Sequence, residues 1–211
     1  MTRALFLLVV LLGLAVPGRA QDNSLPIRAV KAALVKGVPQ VGFDATHFAD
    51  KQVLNKLQSG LPQTLVLRVM LRPQGRTSVV AASAQSCRVL YDLWEGTYRV
   101  QLDQPGRSID LTLRTAREVV ERCLRASHLP MAIDGFQAVS DQRLYFSVTV
   151  ELNPLSQATV KRIRRWLSRS GGSQLGGDAF FGSFVSIFVG REIGTAEKSL
   201  SFRSRAWLVP K

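Results

Sequence analysis

The chain has 211 residues, of which 46% are hydrophobic and 20% are charged, a composition that is ordinary for a globular protein and argues against a wholly disordered chain. Lys and Arg number 28 against 15 Asp and Glu, so the formal net charge is +13. Such an excess of positive charge favours anionic partners. It equally fits an Arg-rich composition with no binding role, and both interpretations stay open.

The first twenty residues predict a secretory signal peptide. A basic start at Arg3 precedes an uncharged apolar run from Ala4 to Val16, and Gly18-Arg19-Ala20 ends in a small residue suited to signal peptidase. The run is shorter than the ~20 residues that a membrane-spanning helix needs. We therefore expect residues 1–20 to be cleaved and residues 21–211 to form a single exported domain. The loss of Arg3 and Arg19 lowers the net charge from +13 to +11.

Alternation of apolar and polar residues predicts the strands of this domain. We expect weaker strands at 27–36 and 77–93, and the clearest alternation runs through residues 64–72, 97–103, 107–113, 144–152 and 200–207. Gln104-Pro105-Gly106 predicts a hairpin turn between two of these strands. Alternation on one side only is typical of an antiparallel sheet with one face in water.

Three helices are expected between the strands. Asp50 can cap a short helix that ends before Gly60, and Thr115 with Glu118 forms a capping-box pattern. Ser156 can cap a third helix over 157–168, and the Gly-rich stretch near 170–177 is typical of a flexible loop. The sequence therefore predicts a β-rich α+β fold, an antiparallel sandwich or a partly open barrel with about three helices packed on it.

The two cysteines, Cys87 and Cys123, predict one disulfide in an oxidising compartment. Cys87 shares a predicted strand face with Val89, Tyr91 and Leu93, and Cys123 shares a helix stripe with Val119. Both thiols should therefore point into one core. Two separate buried thiols are the alternative, because a free cysteine packs as a small apolar residue.

Motifs for an enzyme, a cofactor or a metal are missing from the sequence. There is no Gly-x-Ser-x-Gly, no phosphate-binding loop and no His-Glu-x-x-His. His47 and His128 are isolated along the chain, and the sequence does not pair the candidate acid–base carboxylates Asp44, Asp92, Glu95 and Asp134. We expect a protein that is not an enzyme and that carries no cofactor or metal, with an enzyme of unrecognised type as the alternative.

The predicted third helix carries a cluster of positive charge, formed by Lys161, Arg162, Arg164, Arg165 and Arg169. A basic amphipathic helix with Trp166 at its edge can lie on an anionic membrane interface or dock on an acidic protein groove. The alternative is that its apolar stripe packs on the sheet while the cations stay in water.

The segment 178–189 reads either as a buried helix or as a strand. Phe181, Phe184 and Phe188 fit one helical face and are candidates for contact with an apolar ligand such as a lipid. Packing in the core is the alternative.

Several different short motifs follow one another along the chain. Leu57-x-x-Gly60-Leu61-Pro62 precedes a strand, Tyr91 and Tyr98-Arg99-Val100 follow, Leu111-Thr-Leu-Arg-Thr-Ala116 leads into a helix, and Tyr145 lies in a strand ending at Leu152. Over about residues 26–165 these motifs resemble domain-of-unknown-function family 4390, an uncharacterised exported bacterial family. The resemblance implies an envelope protein of a Gram-negative bacterium, without an assigned activity or functional residue.

The leading functional expectation is a non-enzymatic periplasmic interaction protein. Its basic surface would engage an envelope protein or an anionic lipid or glycan surface, and peripheral contact with a membrane stays open. Nucleic acid is not expected as a partner, because export removes the chain from it. The alternative function is a carrier or sensor of a small apolar ligand such as a lipid.

Overall fold

The computed structural model of the chain describes residues 25–133, 136, 141–154 and 196–209. Its strands are β1 Val30–Val35, β2 Val38–Asp44, β3 Gln63–Pro73, β4 Ala81–Asp92, β5 Thr97–Gln104, β6 Arg107–Leu113, β7 Arg125–Pro130, β8 Ala132–Ile133, β9 Leu144–Leu152 and β10 Lys198–Arg203. Its helices are α1 Lys51–Leu57 and α2 Ala116–Leu124, with a short 3-10 helix at Thr46–Phe48.

Two antiparallel sheets enclose the core. The small sheet has the strand order β1-β2-β7, and the long sheet has the order β10-β9-β3-β4-β5-β6 with β8 paired to β4. Leu65, Leu67 and Val69 of β3 are almost fully buried on the inner face, as the alternation predicts. The largest side chains of the core are also closed off from water, among them Phe146, Phe202, Leu57, Leu124 and Leu129. The prediction of a β-rich α+β sandwich is confirmed, and the sheets do not close into a barrel.

Both helices inside the described ranges begin at the predicted caps. The Asp50 carboxylate accepts a hydrogen bond from the Val53 N–H at 3.1 Å, and Gly60 has the positive φ of +72° that suits the turn after α1. Thr115 Oγ1 accepts from the Glu118 N–H at 3.2 Å, and the Glu118 carboxylate accepts from the Thr115 N–H at 2.9 Å. The predicted helix 157–168 and the predicted loop 170–177 lie outside the described residues.

The strand ends differ from the predicted ones where side chains build turns. β4 ends at Asp92, because its carboxylate accepts hydrogen bonds from the Trp94 and Glu95 N–H groups at 3.1 and 3.2 Å. Leu93 therefore leaves the strand face of Cys87 and is 68% exposed, so its predicted place in the core was wrong. β10 ends at Arg203, four residues before the predicted end of that strand.

The small sheet is the part of the fold that the alternation did not predict in full. Only β1 falls in a predicted strand, at 27–36. In β2 the alternation is interrupted by Pro39 and Gly42, and β7 follows α2 with no intervening turn residue. Within the described ranges, no helix has both the length and the apolar character that crossing a membrane requires.

Candidate functional site

A disulfide joins the two cysteines, as predicted. Cys87 of β4 and Cys123 of α2 are bonded with their Cα atoms 5.7 Å apart, and each residue is 1% exposed. The bond fixes α2 to the inner face of the long sheet. A buried disulfide of this kind indicates an oxidising environment outside the cytoplasm.

Two adjoining concavities of the described surface have several basic residues in their lining. The first, about 480 Å³, lies on the outer face of the small sheet and includes Lys31, Arg125 and His128 in its lining. The second, about 600 Å³, includes Arg28, Lys31 and Arg205. Lys31 lines both, so the two concavities adjoin at this residue. We name the exposed side chains of Arg28, Lys31, Arg125, His128 and Arg205 the basic surface.

The strand pattern explains why this face is concave. Alternation along β1 packs the partly buried side chains of Ala32 and Leu34 against the core and turns Lys31 and Ala33 outward. In β2, the outward position between β1 and β7 is Gly42, where an added Cβ would lie 3.4 Å from the Ala126 carbonyl oxygen. Small residues therefore form the floor of the first concavity.

Backbone hydrogen bonds bring the distant cations of the second concavity together. The Arg28 N–H donates to the Arg203 carbonyl at 2.9 Å, and the Arg203 N–H donates to the Pro26 carbonyl at 2.9 Å. The segment before β1 therefore runs beside the end of β10. This pairing places Arg28 next to the segment that carries Arg205.

One carboxylate lies among the lining residues of the two concavities. Asp44 accepts hydrogen bonds from Arg125 Nη2 at 2.9 Å and Arg125 Nε at 3.1 Å. The Thr46 hydroxyl, and then the Thr46 N–H group and Arg125, hold the pKa of Asp44 below its usual value, although partial burial acts in the opposite direction. Asp44 thus stays ionised and orients the Arg125 guanidinium.

His47 lies beside the basic surface on the 3-10 helix. Its ring centroid is 6.4 Å from that of Phe202, and the Arg28 guanidinium lies 5.9 Å from the same Phe202 ring. Partial burial, and then the positive charge of Arg28, lower the pKa of His47, while Asp44 acts in the opposite direction. The protonation of His47 therefore depends on the charge at the basic surface.

A third concavity, of about 680 Å³, is lined mainly by uncharged polar groups beside α1. Asn153 Nδ2 donates to Gln63 Oε1 at 2.6 Å, and the Thr64 N–H donates to Asn153 Oδ1 at 2.8 Å. Gln63 Nε2 in turn donates to Ser59 Oγ at 3.2 Å. These groups bond one another and hold the start of β3, so we do not assign a ligand to this concavity.

The predicted binding residues are not among those that form the basic surface. The cations Lys161, Arg162, Arg164, Arg165 and Arg169 and the aromatic residues Phe181, Phe184 and Phe188 lie outside the described residues. Of the candidate carboxylates, Asp44 pairs with Arg125 and Asp92 holds a turn, while Asp134 is outside the described ranges. In the part of the chain that the structure describes, no group of three His, Cys, Asp or Glu side chains is placed to hold a metal.

Sequence reasoning missed the basic surface because its residues come from three segments that are far apart in the chain, at 28–31, 125–128 and 205. Alternation over 27–36 could have placed Lys31 on an outward face. No local signal joins it to Arg125 or Arg205. Comparisons with protein-family models, with curated proteins and with solved structures gave no match for the chain.

Proposed function

We propose that this chain is an exported interaction protein of the bacterial envelope, and that its basic surface binds an anionic envelope component. The observation that carries the proposal is the grouping of Arg28, Lys31, Arg125, His128 and Arg205 around two concavities that share Lys31. Among the described residues that line them, the single carboxylate, Asp44, is already paired with Arg125. The surface therefore offers more positive charge than it neutralises within itself.

Export and the periplasm are supported by three independent features. The first twenty residues have the layout of a signal peptide. The Cys87–Cys123 disulfide fits an oxidising compartment. The resemblance to domain-of-unknown-function family 4390 points to the envelope of a Gram-negative bacterium. In that place the accessible anions are lipid head groups, acidic glycans and acidic protein faces.

The charge arrangement favours an extended or multiply charged anion over a single small one. All five side chains of the basic surface are exposed, and an exposed ion pair contributes only about 0–1 kcal/mol. Useful affinity therefore needs several of these contacts at once. Because such contacts are screened over about 10 Å at 0.1 M salt, binding should weaken steeply as the ionic strength rises.

Co-sedimentation with vesicles tests the proposal. Phosphatidylcholine vesicles are compared with vesicles that also contain phosphatidylglycerol, across a series from about 0.05 to about 0.5 M NaCl. The variant R28Q/K31Q/R205Q removes three charges from the basic surface. The matched control K51Q/R107Q/R114Q removes three exposed charges elsewhere and leaves the same net charge.

The anionic lipid should increase the binding of the wild type at low salt, and this increase should vanish in R28Q/K31Q/R205Q but persist in the control. An equal loss in both triple variants would show that only net charge matters and would overturn the assignment of the site. No increase for the wild type would exclude anionic lipid as the component. An acidic glycan or protein would then have to be probed with the same variants.

The alternative function, a carrier of an apolar ligand, stays a prediction. Its candidate residues Phe181, Phe184 and Phe188 are outside the described ranges, and no observation in the described core favours it.

A further inference from the structure

An apolar tip lies at one end of the long sheet, where β3 begins and β4 ends. Leu61 is 65% exposed, Leu93 is 68% exposed and Trp94 is 97% exposed. The described residues include six exposed large hydrophobic side chains, and these three are half of them. A Cβ added at Gly60 would lie 2.9 Å from Leu93 Cδ1, so the two turns that form the tip are in contact.

The turn that carries Trp94 is held firmly. The Asp92 carboxylate accepts from the Trp94 N–H at 3.1 Å, and the Gly96 N–H donates to the Asp92 carbonyl at 2.9 Å. Arg99 forms an ion pair with the same carboxylate at 2.9 Å. Gly96 has a positive φ of +63°, which a glycine adopts without strain. A turn with defined hydrogen bonds and an ion pair therefore holds Trp94 in its exposed position.

Three further observations indicate what the tip contacts. A side chain that is 97% exposed has no protein walls around it, so its binding partner must enclose it. Three side chains are far fewer than the ~20–30 residues that each side of a stable protein interface contributes, which argues against a second copy of the chain. The charges of the hairpin segment 88–99, which carries Leu93 and Trp94, balance, with Arg88 and Arg99 against Asp92 and Glu95.

We propose that the apolar tip inserts into the interfacial layer of a phospholipid bilayer. A balanced set of charges around it is complementary to zwitterionic head groups. Tryptophan and leucine are side chains that gain from this layer, the indole through its apolar ring and its polar N–H. The tip thus gives the protein an apolar membrane contact that is separate from the basic surface.

The two surfaces lie at different ends of the long sheet. Leu61 precedes β3 and Trp94 follows β4, whereas the second concavity includes Phe146, which pairs with Leu71 near the end of β3. Insertion of the tip does not depend on the proposed function of the basic surface, and the two can fail separately.

Binding to pure phosphatidylcholine vesicles at about 0.5 M NaCl isolates the apolar contact, because charge contacts are screened there. The wild type is compared with W94A and with L93S/W94A. The matched control is L208A, which truncates a side chain that is 63% exposed and lies beside Trp207. Far-ultraviolet circular dichroism confirms that each variant is folded. Quenching of tryptophan emission by brominated lipid reports insertion.

The wild type should bind these vesicles, and W94A should reduce the partition coefficient at least about tenfold because the indole carries most of the apolar area of the tip. L208A should bind as the wild type does. Brominated lipid should quench the wild type, and W94F should lose most of that quenching. Absence of binding by the wild type, or equal binding by W94A, would overturn the proposal. Absence of quenching of the wild type by brominated lipid would also overturn it and would favour a protein pocket as the partner of the tip.

Discussion

Arg68 of β3 and Glu151 of β9 form an ion pair on the outer face of the long sheet, where the side chain of each is only 9% exposed. The alternation along β3 places Arg68 on the face predicted to be in water, and that prediction was wrong at the centre of the sheet. Neighbouring positions of this face, Val66, Ala84 and Ser86, are closed off from water as well. Arginine is rarely buried unless it is paired, and its partner is 83 residues away in sequence.

Removing the charge of Glu151 should therefore destabilise the fold. E151Q removes the charge of a carboxylate that pairs with the buried Arg68 guanidinium, and we expect the free energy of unfolding to fall by about 3 kcal/mol. The double variant R68M/E151L, which replaces both charges with apolar side chains, should recover much of that loss. Urea unfolding followed by circular dichroism measures both.

The exposed pair Lys56–Glu197 serves as the control for E151Q. Its side chains are 44% and 38% exposed, so K56Q should change the free energy of unfolding by no more than about 1 kcal/mol. A loss for E151Q as small as that for K56Q would show that the buried pair contributes no more than a surface pair.

Loss of the disulfide should also destabilise the domain. The bond closes a loop between cysteines 36 positions apart, and the chain-entropy account assigns it about 4 kcal/mol. We expect C87A/C123A to unfold at a lower urea concentration than the oxidised wild type. Under reducing conditions, the urea midpoint of the wild type should approach that of the variant. Equal urea midpoints for the oxidised wild type and C87A/C123A would contradict this expectation.

Acid should weaken the contact between β10 and α1. Lys198 Nζ lies 2.6 Å from the Asp50 carboxylate, and this hydrogen bond, followed by that of the Val53 N–H, lowers the pKa of Asp50. The unfolded chain then takes up this proton more readily than the folded one. The stabilisation is present above the ordinary pKa of about 4 and is lost as the pH falls through the lower folded-state value.

D50N isolates this effect, because asparagine caps a helix as aspartate does but carries no charge. Between about pH 6 and about pH 3, the free energy of unfolding of D50N should fall less than that of the wild type. These two pH values lie on either side of the ordinary aspartate pKa of about 4. D110N provides the comparison, since Asp110 is exposed on β6. If the free energy of unfolding of D50N changed with pH as steeply as that of the wild type, Asp50 would not contribute to the acid sensitivity.

Local signals were enough for the helix caps and for most of the long sheet. Asp50 and the Thr115–Glu118 pair act within one helical turn, and the hairpin between β5 and β6 is set by Gln104-Pro105-Gly106, so short patterns predict them. The disulfide could be predicted because the chain has two cysteines and the predicted signal peptide implies an oxidising compartment, where they would pair.

The small sheet and the basic surface depend on contacts that short patterns do not contain. β2 pairs with β7 about 85 residues later, with a register shift between Val41 and Phe43, and its Pro39 and Gly42 obscure the alternation. Arg28, Arg125 and Arg205 come to line adjoining concavities only after this sheet forms and β10 lies beside the segment before β1. The cluster at 161–169, by contrast, could be predicted because its cations lie close together in the sequence. These residues lie outside the described ranges.

The two histidines of the chain, His47 and His128, allow the most direct test of the basic surface. Their ring signals can be followed by NMR during pH titration, with H128Q to assign them. Soluble dihexanoyl phosphatidylglycerol is the probe, and dihexanoyl phosphatidylcholine is the control. Partial burial and the positive charge of Arg28 lower the pKa of His47. An anion held at the basic surface offsets the Arg28 charge and should therefore raise this pKa.

The account predicts that phosphatidylglycerol shifts both histidine signals and raises the pKa of His47, that phosphatidylcholine does neither, and that R28Q/K31Q/R205Q abolishes the response. Histidine signals and a His47 pKa that stay unchanged at saturating phosphatidylglycerol would contradict binding of an anionic lipid at the basic surface.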